Sequence, residues 1–422
     1  MLVVHVLREC WRRVVDALWY NYLMPGIERR LFYGLHALLL FYRRYKPQEV
    51  RYKTLLLMRI DRLGDYCLMR NFLKPLRESY PDYEITFLCH ADFSELVEAC
   101  DHAYVDKLIS ANFLKYSLLR HPFYTLKVLY ILARQSYEIL ISPIYGRTRE
   151  RDDQIVCWIN ASTKIGSLGS RISTDWYQNA TIHRLDRAYT IFLEARLERL
   201  FEFDRNREFF SQLLKKPLTD IKYHLDLPPL PKKNSSFSLL CKPYGVFFLG
   251  AFEPQRKWSL KSWVELALKI SPDFQIVLCG SKREINEAQE IMLGFPKALN
   301  LVGQTTFIEL LHVLSKASFI VSVETAIPHF AVALGLGPIF VIPNNNALVQ
   351  FVPYPEYIQA NYHVIYHPKV EALLAIPHGF GQCMEIYGCN RLDLRIYCPG
   401  FSEKVAEKMR AVDGRLVGDR SL

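Results

Sequence analysis

The pattern of apolar and polar positions repeats one unit along most of the chain: a short, nearly unbroken apolar run, a turn signal, then a stretch of helical spacing. Such runs stand at Thr54–Ile60, Glu84–Cys89, Ala103–Asp106 and Glu138–Ser142, and again at Gly245–Leu249, Gln275–Cys279, Leu299–Val302, Phe319–Val323 and Pro338–Ile342. Strands that face water on one side alternate apolar and polar residues, whereas runs apolar throughout belong to parallel strands covered on both faces by helices. The clearest unit is Ser318–Pro343, SFIVSVETAIPHFAVALGLGPIFVIP, which reads strand, helix, strand. Thr325 is placed to cap its helix, Pro328 suits the first turn, and Gly335 and Gly337 end it. Thr306 caps the helix before it. Helical spacing also runs from Thr181 to Phe210, where His183 reads as a surface or cap residue, and His224–Tyr244, rich in proline, lysine and serine, reads as a linker. The pattern predicts an α/β protein of two doubly wound domains, residues 54–230 and 231–422, the second ending in a C-terminal helix. A helical extension, residues 1–53, precedes them.

In open α/β sheets, ligands meet the carboxyl ends of the strands, where helix N-termini offer free N–H groups and the positive end of the peptide dipoles. Several chemically capable residues fall at that edge. Asp65 lies in the DRLGD turn after the first strand, where a carboxylate is either a helix cap beside a turn-forming Gly64 or a ligand group. Arg256 and Lys257 lie in the polar loop AFEPQRKW, Gly280 closes Gln275–Cys279, and Thr325 and His329 follow Phe319–Val323. Two cations and one helix N-terminus on one edge suit a diphosphate. His329, on a part-apolar helix, equally fits the description of a satisfied core histidine.

Composition adds a partner class. The 422 residues are 50% hydrophobic and 23% charged, enough for two sizeable cores, and the net charge of +10 points to an acidic partner: nucleic acid, an anionic membrane or a phosphorylated substrate. Residues 1–53 carry ten Lys or Arg against four acids, a net +6, so more than half of the excess is concentrated there. Their apolar stretches, Ala17–Ile27 and Leu31–Tyr42, are shorter than the roughly 20 residues a membrane span needs. No small-residue cleavage site follows to make either a signal peptide. Basic residues interleaved with Trp11, Trp19, Tyr20, Phe32 and Tyr42 fit helices lying in a membrane interface, or a helical extension packed on its domain with a solvated basic face. The ten cysteines are scattered without a CxxC pair; Cys383, Cys389 and Cys398 read as free thiols or a packing cluster in a reducing, cytosolic setting.

Four stretches carry a family resemblance: LLLMRIDRLGD, FFLGAFEPQRKWSLKSWVELA, NLVGQTTFIELLHVLSKASFIVSVETAIPHFAVALG and the cysteine-bearing tail. Taken in order from about Leu55 to about Met409, they resemble glycosyltransferase family 9, the ADP-heptose:lipopolysaccharide heptosyltransferases. The resemblance implies a GT-B fold, two Rossmann-like domains facing a cleft, the first holding a glycolipid acceptor and the second a nucleotide-sugar donor. It implies inverting transfer of heptose from ADP-heptose to a lipopolysaccharide-core or related glycan, with no metal or other cofactor. The absence of a D-x-D pair agrees with this.

Carried over by position, the family's catalytic base falls on Asp65 and its phosphate-binding lysine on Arg256. Its Asp-Thr/Ser-Gly-Pro-Met-His stretch becomes Glu324, Thr325, Ala326, Ile327, Pro328 and His329, in which Glu replaces a sugar-contacting Asp and Ala replaces a Gly. Lys257 and Gly280 join the donor-binding set, and a protonated His329 would help meet the leaving group's charge. The expected location is cytoplasmic, on the inner face of the plasma membrane, with residues 1–53 meeting anionic lipid and no nucleic-acid partner. A nucleotide-sugar or glycan binder without transfer activity, and a transferase using another nucleotide sugar, are the alternatives.

Overall fold

A computed structural model describes residues 24–169, 186–230, 240, 243–345, 348–387 and 392–418. His183, Cys389, residues 1–23 of the basic extension and most of residues 231–242 in the expected linker lie outside that set. The chain divides into two compact units, Met1–Arg62 with Leu73–Leu197 and Arg207–Leu218, and Leu63–Phe72 with Glu198–Asn206 and Thr219–Leu422.

The first unit is built on a six-stranded sheet of β1 (Thr54–Arg59), β2 (Glu84–His90), β3 (Lys107–Ala111), β4 (Ser136–Ser142), β5 (Asn160–Ser167) and β6 (Ile191–Leu193), in the order β3-β2-β1-β4-β5-β6. Every neighbouring pair is parallel; in the central strand Leu56 stands beside Thr86 of β2 and Leu140 of β4. All six residues of β1 are buried, as an unbroken apolar run requires. Its one charge, Arg59, is buried too, with Nε 2.9 Å from Oδ1 of Asp61.

Three sequence expectations differ here. The strand expected at Ala103–Asp106 is a turn, and the strand is Lys107–Ala111; as an edge strand, half-exposed, it lacks the apolar signature of a central one. Asp106 instead pins the turn, accepting a hydrogen bond from the Ile85 amide at 2.7 Å. The helix expected over Thr181–Phe210 gives way, in the described residues, to β6 and a later helix, α5 (Glu202–Leu213). Strand β5, NASTKIGS, is too polar to signal itself and is held by its ladder to β4. On this unit packs α1 (Met24–Tyr45), whose Phe32 is buried in a cluster with Val128 and Leu132 of α3 (Pro122–Ala133) and Trp158 of α4 (Gln154–Trp158).

The second unit repeats the plan. Strands β7 (Tyr244–Phe248), β8 (Gln275–Cys279), β9 (Leu299–Asn300), β10 (Phe319–Val323), β11 (Ile339–Ile342) and β12 (Tyr362–Val364) form a parallel sheet in the order β12-β11-β10-β7-β8-β9. Its helices include α6 (Leu260–Ala267), α7 (Ile285–Gly294), α8 (Phe307–Ser315), α9 (Ala326–Ala333) and α10 (Phe401–Val412). Thr306 and Glu309 satisfy each other's amides at the start of α8, confirming the expected cap. Trp258 and Trp263 pack edge to face, centroids 5.0 Å apart, in a core closed by Phe401, Val405 and Met409 of α10. Cys383 lies buried in that core and Cys398 packs against it, both free thiols. Leu63–Met69, α2, belongs to this unit as well.

Candidate functional site

The order of the second sheet reverses between β7 and β10, so the chain leaves these neighbouring strands toward opposite sides and a crevice opens beyond their carboxyl ends. After β7 the single turn Pro254–Arg256 lifts Arg256 toward β10. Its Nη1 lies 3.3 Å from Oε1 of Glu324, the first residue after β10, and its Nε lies 3.3 Å from Oε2 of Glu253. Glu324 is buried, and neither carboxylate oxygen accepts a hydrogen bond among the described residues. Burial pushes its pKa up; the Arg256 charge opposes this and Glu253 adds to it. Next comes Thr325, extended, heading α9 without a side-chain capping bond. Thr325 and Ala326 are half-exposed, so the first turn of α9 keeps a reachable, positively polarised end.

Helix α2 packs directly on that end. A Cβ placed on Gly64 would come within 3.1 Å of Cδ2 of His329 and 3.7 Å of the Ala326 Cα. Gly64 is therefore needed for close helix approach rather than for the turn expected of it, and no positive φ occurs there. The next residue, Asp65, sits half-buried in the first turn of α2. Two signals more than 260 residues apart in the sequence, Gly64-Asp65 and Ala326 to His329, thus meet in one place. Cys67 of α2 and Tyr223 strengthen the join: Sγ and the hydroxyl are 3.1 Å apart, and that hydroxyl donates to the His329 carbonyl at 2.7 Å.

Three expected residues have other work. His329 is buried, with Nδ1 2.6 Å from the Tyr354 hydroxyl, and desolvation lowers its pKa to about 3. It is a neutral imidazole at physiological pH, and the expected cation is corrected to a positioning group. Lys257 extends its Nζ to Oε1 of Glu284 at 2.9 Å and Oε1 of Glu287 at 2.6 Å. Burial works against its charge, but the bonds to Glu287 and Glu284 prevail and its pKa is raised. Lys257 thus ties its loop to the start of α7. Gly280 belongs to the same support: a Cβ there would lie 3.3 Å from Cβ of the buried Glu284, which also accepts from the Ser281 amide at 3.0 Å.

Tyr354, Tyr223, Glu253, Glu284 and Glu287 had no signal in the sequence, because each acts through a partner more than twenty residues away or through an ordinary-looking acid. Phe351 and Tyr354 close over the imidazole at centroid distances of 5.6 and 5.8 Å. Among the described residues no group of three or more His, Cys, Asp or Glu side chains is placed to hold a metal ion.

Solved structures of this shape include a glycosyl transferase family 9 protein from Veillonella parvula, 15% identical, with 86% of this chain and 98% of that one covered at a TM-score of 0.60. Escherichia coli heptosyltransferase WaaC, solved with ADP, is 19% identical, with 75% and 93% covered and a TM-score of 0.55. E. coli ADP-heptose lps heptosyltransferase II is 16% identical, with 85% and 98% covered and a TM-score of 0.53. These likenesses show the GT-B fold. No curated protein matches the chain. The family described as glycosyltransferase family 9 (heptosyltransferase) matches residues 196–339, the stretch that supplies the Arg256 loop, β8, β10 and α9. Residues 196–339 thus match the glycosyltransferase family 9 (heptosyltransferase) model, and the chain shares the fold of solved proteins of that family.

Proposed function

We propose that this enzyme transfers heptose from ADP-heptose, with inversion and without a metal, to a lipopolysaccharide-core or related glycan acceptor. The observation that carries the proposal is the convergence of Asp65, Arg256, Glu324 and the first turn of α9 on one end of the second sheet's switch point. WaaC, solved with ADP and with ADP-2-deoxy-2-fluoro heptose, supports the choice of donor.

A sugar hydroxyl is a poor nucleophile, so Asp65 takes its proton as the new bond forms at the anomeric carbon. The bond from that carbon to the diphosphate breaks on the opposite side. The departing diphosphate gains negative charge, which Arg256 meets with a bidentate fork and the N–H groups of Thr325 and Ala326 meet with the helix dipole. Glu324, buried with no hydrogen bond of its own, takes donor-sugar hydroxyls. Neutral His329 holds α2 against α9, and with it the distance from base to diphosphate. The enzyme works in the cytoplasm, on the inner face of the plasma membrane where a glycolipid acceptor presents its sugars; residues 1–53 meet anionic lipid, and nucleic acid is not a partner.

Thermal stabilisation of the purified protein by a panel of nucleotide sugars tests the donor. ADP-heptose should raise the unfolding temperature more than ADP, and UDP- or GDP-sugars should raise it little. A larger shift from a UDP- or GDP-sugar, or no shift from any, would overturn the donor assignment.

A further inference from the structure

The surface of the first unit carries an apolar face that its core does not use. Helix α1 docks through Phe32, His36 and Arg43; Arg43 Nη2 donates to the carbonyls of Ala133 and Trp158, both at 3.0 Å. Near its other end Glu28 accepts from the Leu119 amide at 3.0 Å and from the Ser117 hydroxyl, just ahead of α3. Glu28 and Arg43 are about 22 Å apart along a helix, and they meet the two ends of α3, so α1 and α3 run side by side in the same direction.

Each turns an apolar stripe outward. On α1 this is Leu38, Phe41 and Tyr45, exposed by 65%, 60% and 71%; on α3 it is Phe123, Leu126 and Tyr130, exposed by 88%, 42% and 60%. The spacings, three and four residues, place each set on one side of its helix. Behind α3 the apolar surface continues into a cavity of about 220 Å³ bounded by Leu88, Ile109, Val128 and Ile131. Arg30, Arg44, Lys46, Arg120, Lys127 and Arg134 are exposed around the two stripes. The two helices contain one acid between them, Glu28, already bonded inward.

We propose that α1 and α3 together form the membrane-docking face of this protein, their aromatic and leucine side chains entering the headgroup boundary of an anionic bilayer and the six cations meeting its phosphates. This deepens the glycolipid-acceptor reading and rests on it for the biological setting, but the face is argued from its own residues. A large apolar patch on a soluble unit marks an interaction surface. A fringe in which exposed cations outnumber acids, Glu49 near Lys46 being exposed as well, favours an anionic occupant, and tyrosine beside leucine and phenylalanine suits the boundary between water and acyl chains. A second copy of the chain fits poorly, because a two-fold contact through this face would bring the same cations together.

Co-sedimentation of the full chain tests it, with phosphatidylglycerol-containing vesicles against phosphatidylcholine alone. The wild-type chain should pellet with the anionic vesicles and be released by salt. Phe123→Ser with Tyr130→Ser, and separately Leu38→Ser with Phe41→Ser, should each weaken vesicle binding at least about tenfold. Leu293→Ser, which removes an exposed leucine of the second unit, should bind as wild type does. Stabilisation by ADP-heptose, measured on the same samples, should be equal in all; its failure everywhere would remove the donor reading and leave the vesicle result legible. The proposal falls if the wild-type chain stays in the supernatant, if either pair binds unchanged, or if the stripes prove to hold a dimer that the substitutions dissociate.

Discussion

In the proposed reaction Asp65 and Arg256 would serve opposite ends, so their variants should separate. Asp65→Asn keeps the size and half-burial of the side chain but cannot take a proton; transfer should fall by about a hundredfold or more while ADP-heptose affinity and unfolding temperature hold. Arg256→Ala should weaken donor binding by about 1.5–3 kcal/mol by calorimetry, and should also destabilise the fold, since Glu324 would lose its countercharge while still buried. Adding Glu324→Gln should restore stability but not affinity. Lys257→Ala, one residue on, should cost stability with donor affinity unchanged, because its two partners are Glu284 and Glu287. His329 gives a pH signature. Its pKa is lowered from 6.5 to about 3 in the folded chain, so the unfolded chain takes up the proton first as pH drops. The stability tied to neutral His329 is present above about 6.5 and is lost as pH falls from there toward 3. Melting curves of the wild-type protein and His329→Gln should therefore converge across that interval, and parallel curves would show that the imidazole is not buried neutral.

Elements are held by contacts that local pattern cannot supply. Gly245 in β7 is one such case: a Cβ there would lie 1.9 Å from the ring of Phe319 in β10, so that ring can lie across β7 only because its ladder partner lacks a side chain. Gly245→Ala should cost about 1–3 kcal/mol by denaturant unfolding, from overpacking rather than lost contacts. Phe319→Leu in the same chain should recover part of it. Helix α9, by contrast, is legible in its own residues: Thr325 precedes it, Pro328 falls in its first turn, and Gly335 follows with φ +69°.

At the scale of the molecule, the helical extension is part of a core as well as a source of charge. Phe32 is 1% exposed and packs at a tilt against Trp158, centroids 5.5 Å apart, so α1 covers apolar surface that the sheet and its other helices leave open. A chain lacking residues 1–50 should lose more than about 3 kcal/mol in the first unit. Calorimetry should show this as a lowered or separate transition. An unchanged transition would return the extension to an appendage. Attachment to a membrane is for the same reason better tested by point substitution on the outward faces than by truncation.

What the sequence determined by itself is the architecture. Unbroken apolar runs such as Leu55–Met58 and Phe319–Val323 can be satisfied only by burial on both faces, and a parallel sheet follows from that. Asp65 and the Arg256 loop stood out because ligands collect at strand ends, and those ends are visible wherever an apolar run meets a turn, whereas Glu324 was nominated only by the family resemblance. Strands β3, β5 and β6 were hidden because half-exposed strands near a sheet edge carry little period of their own. Only the tertiary structure decided what each charged group does. Arg256 and Lys257 are neighbours in the chain with the same charge. Backbone geometry turns one toward Glu324 and the other toward Glu284 and Glu287. His329 reads alike as cation or core residue until Tyr354 and Phe351 close over it. Burial and pairing depend on side chains distant in sequence, and these set the protonation state and the reach that chemistry requires.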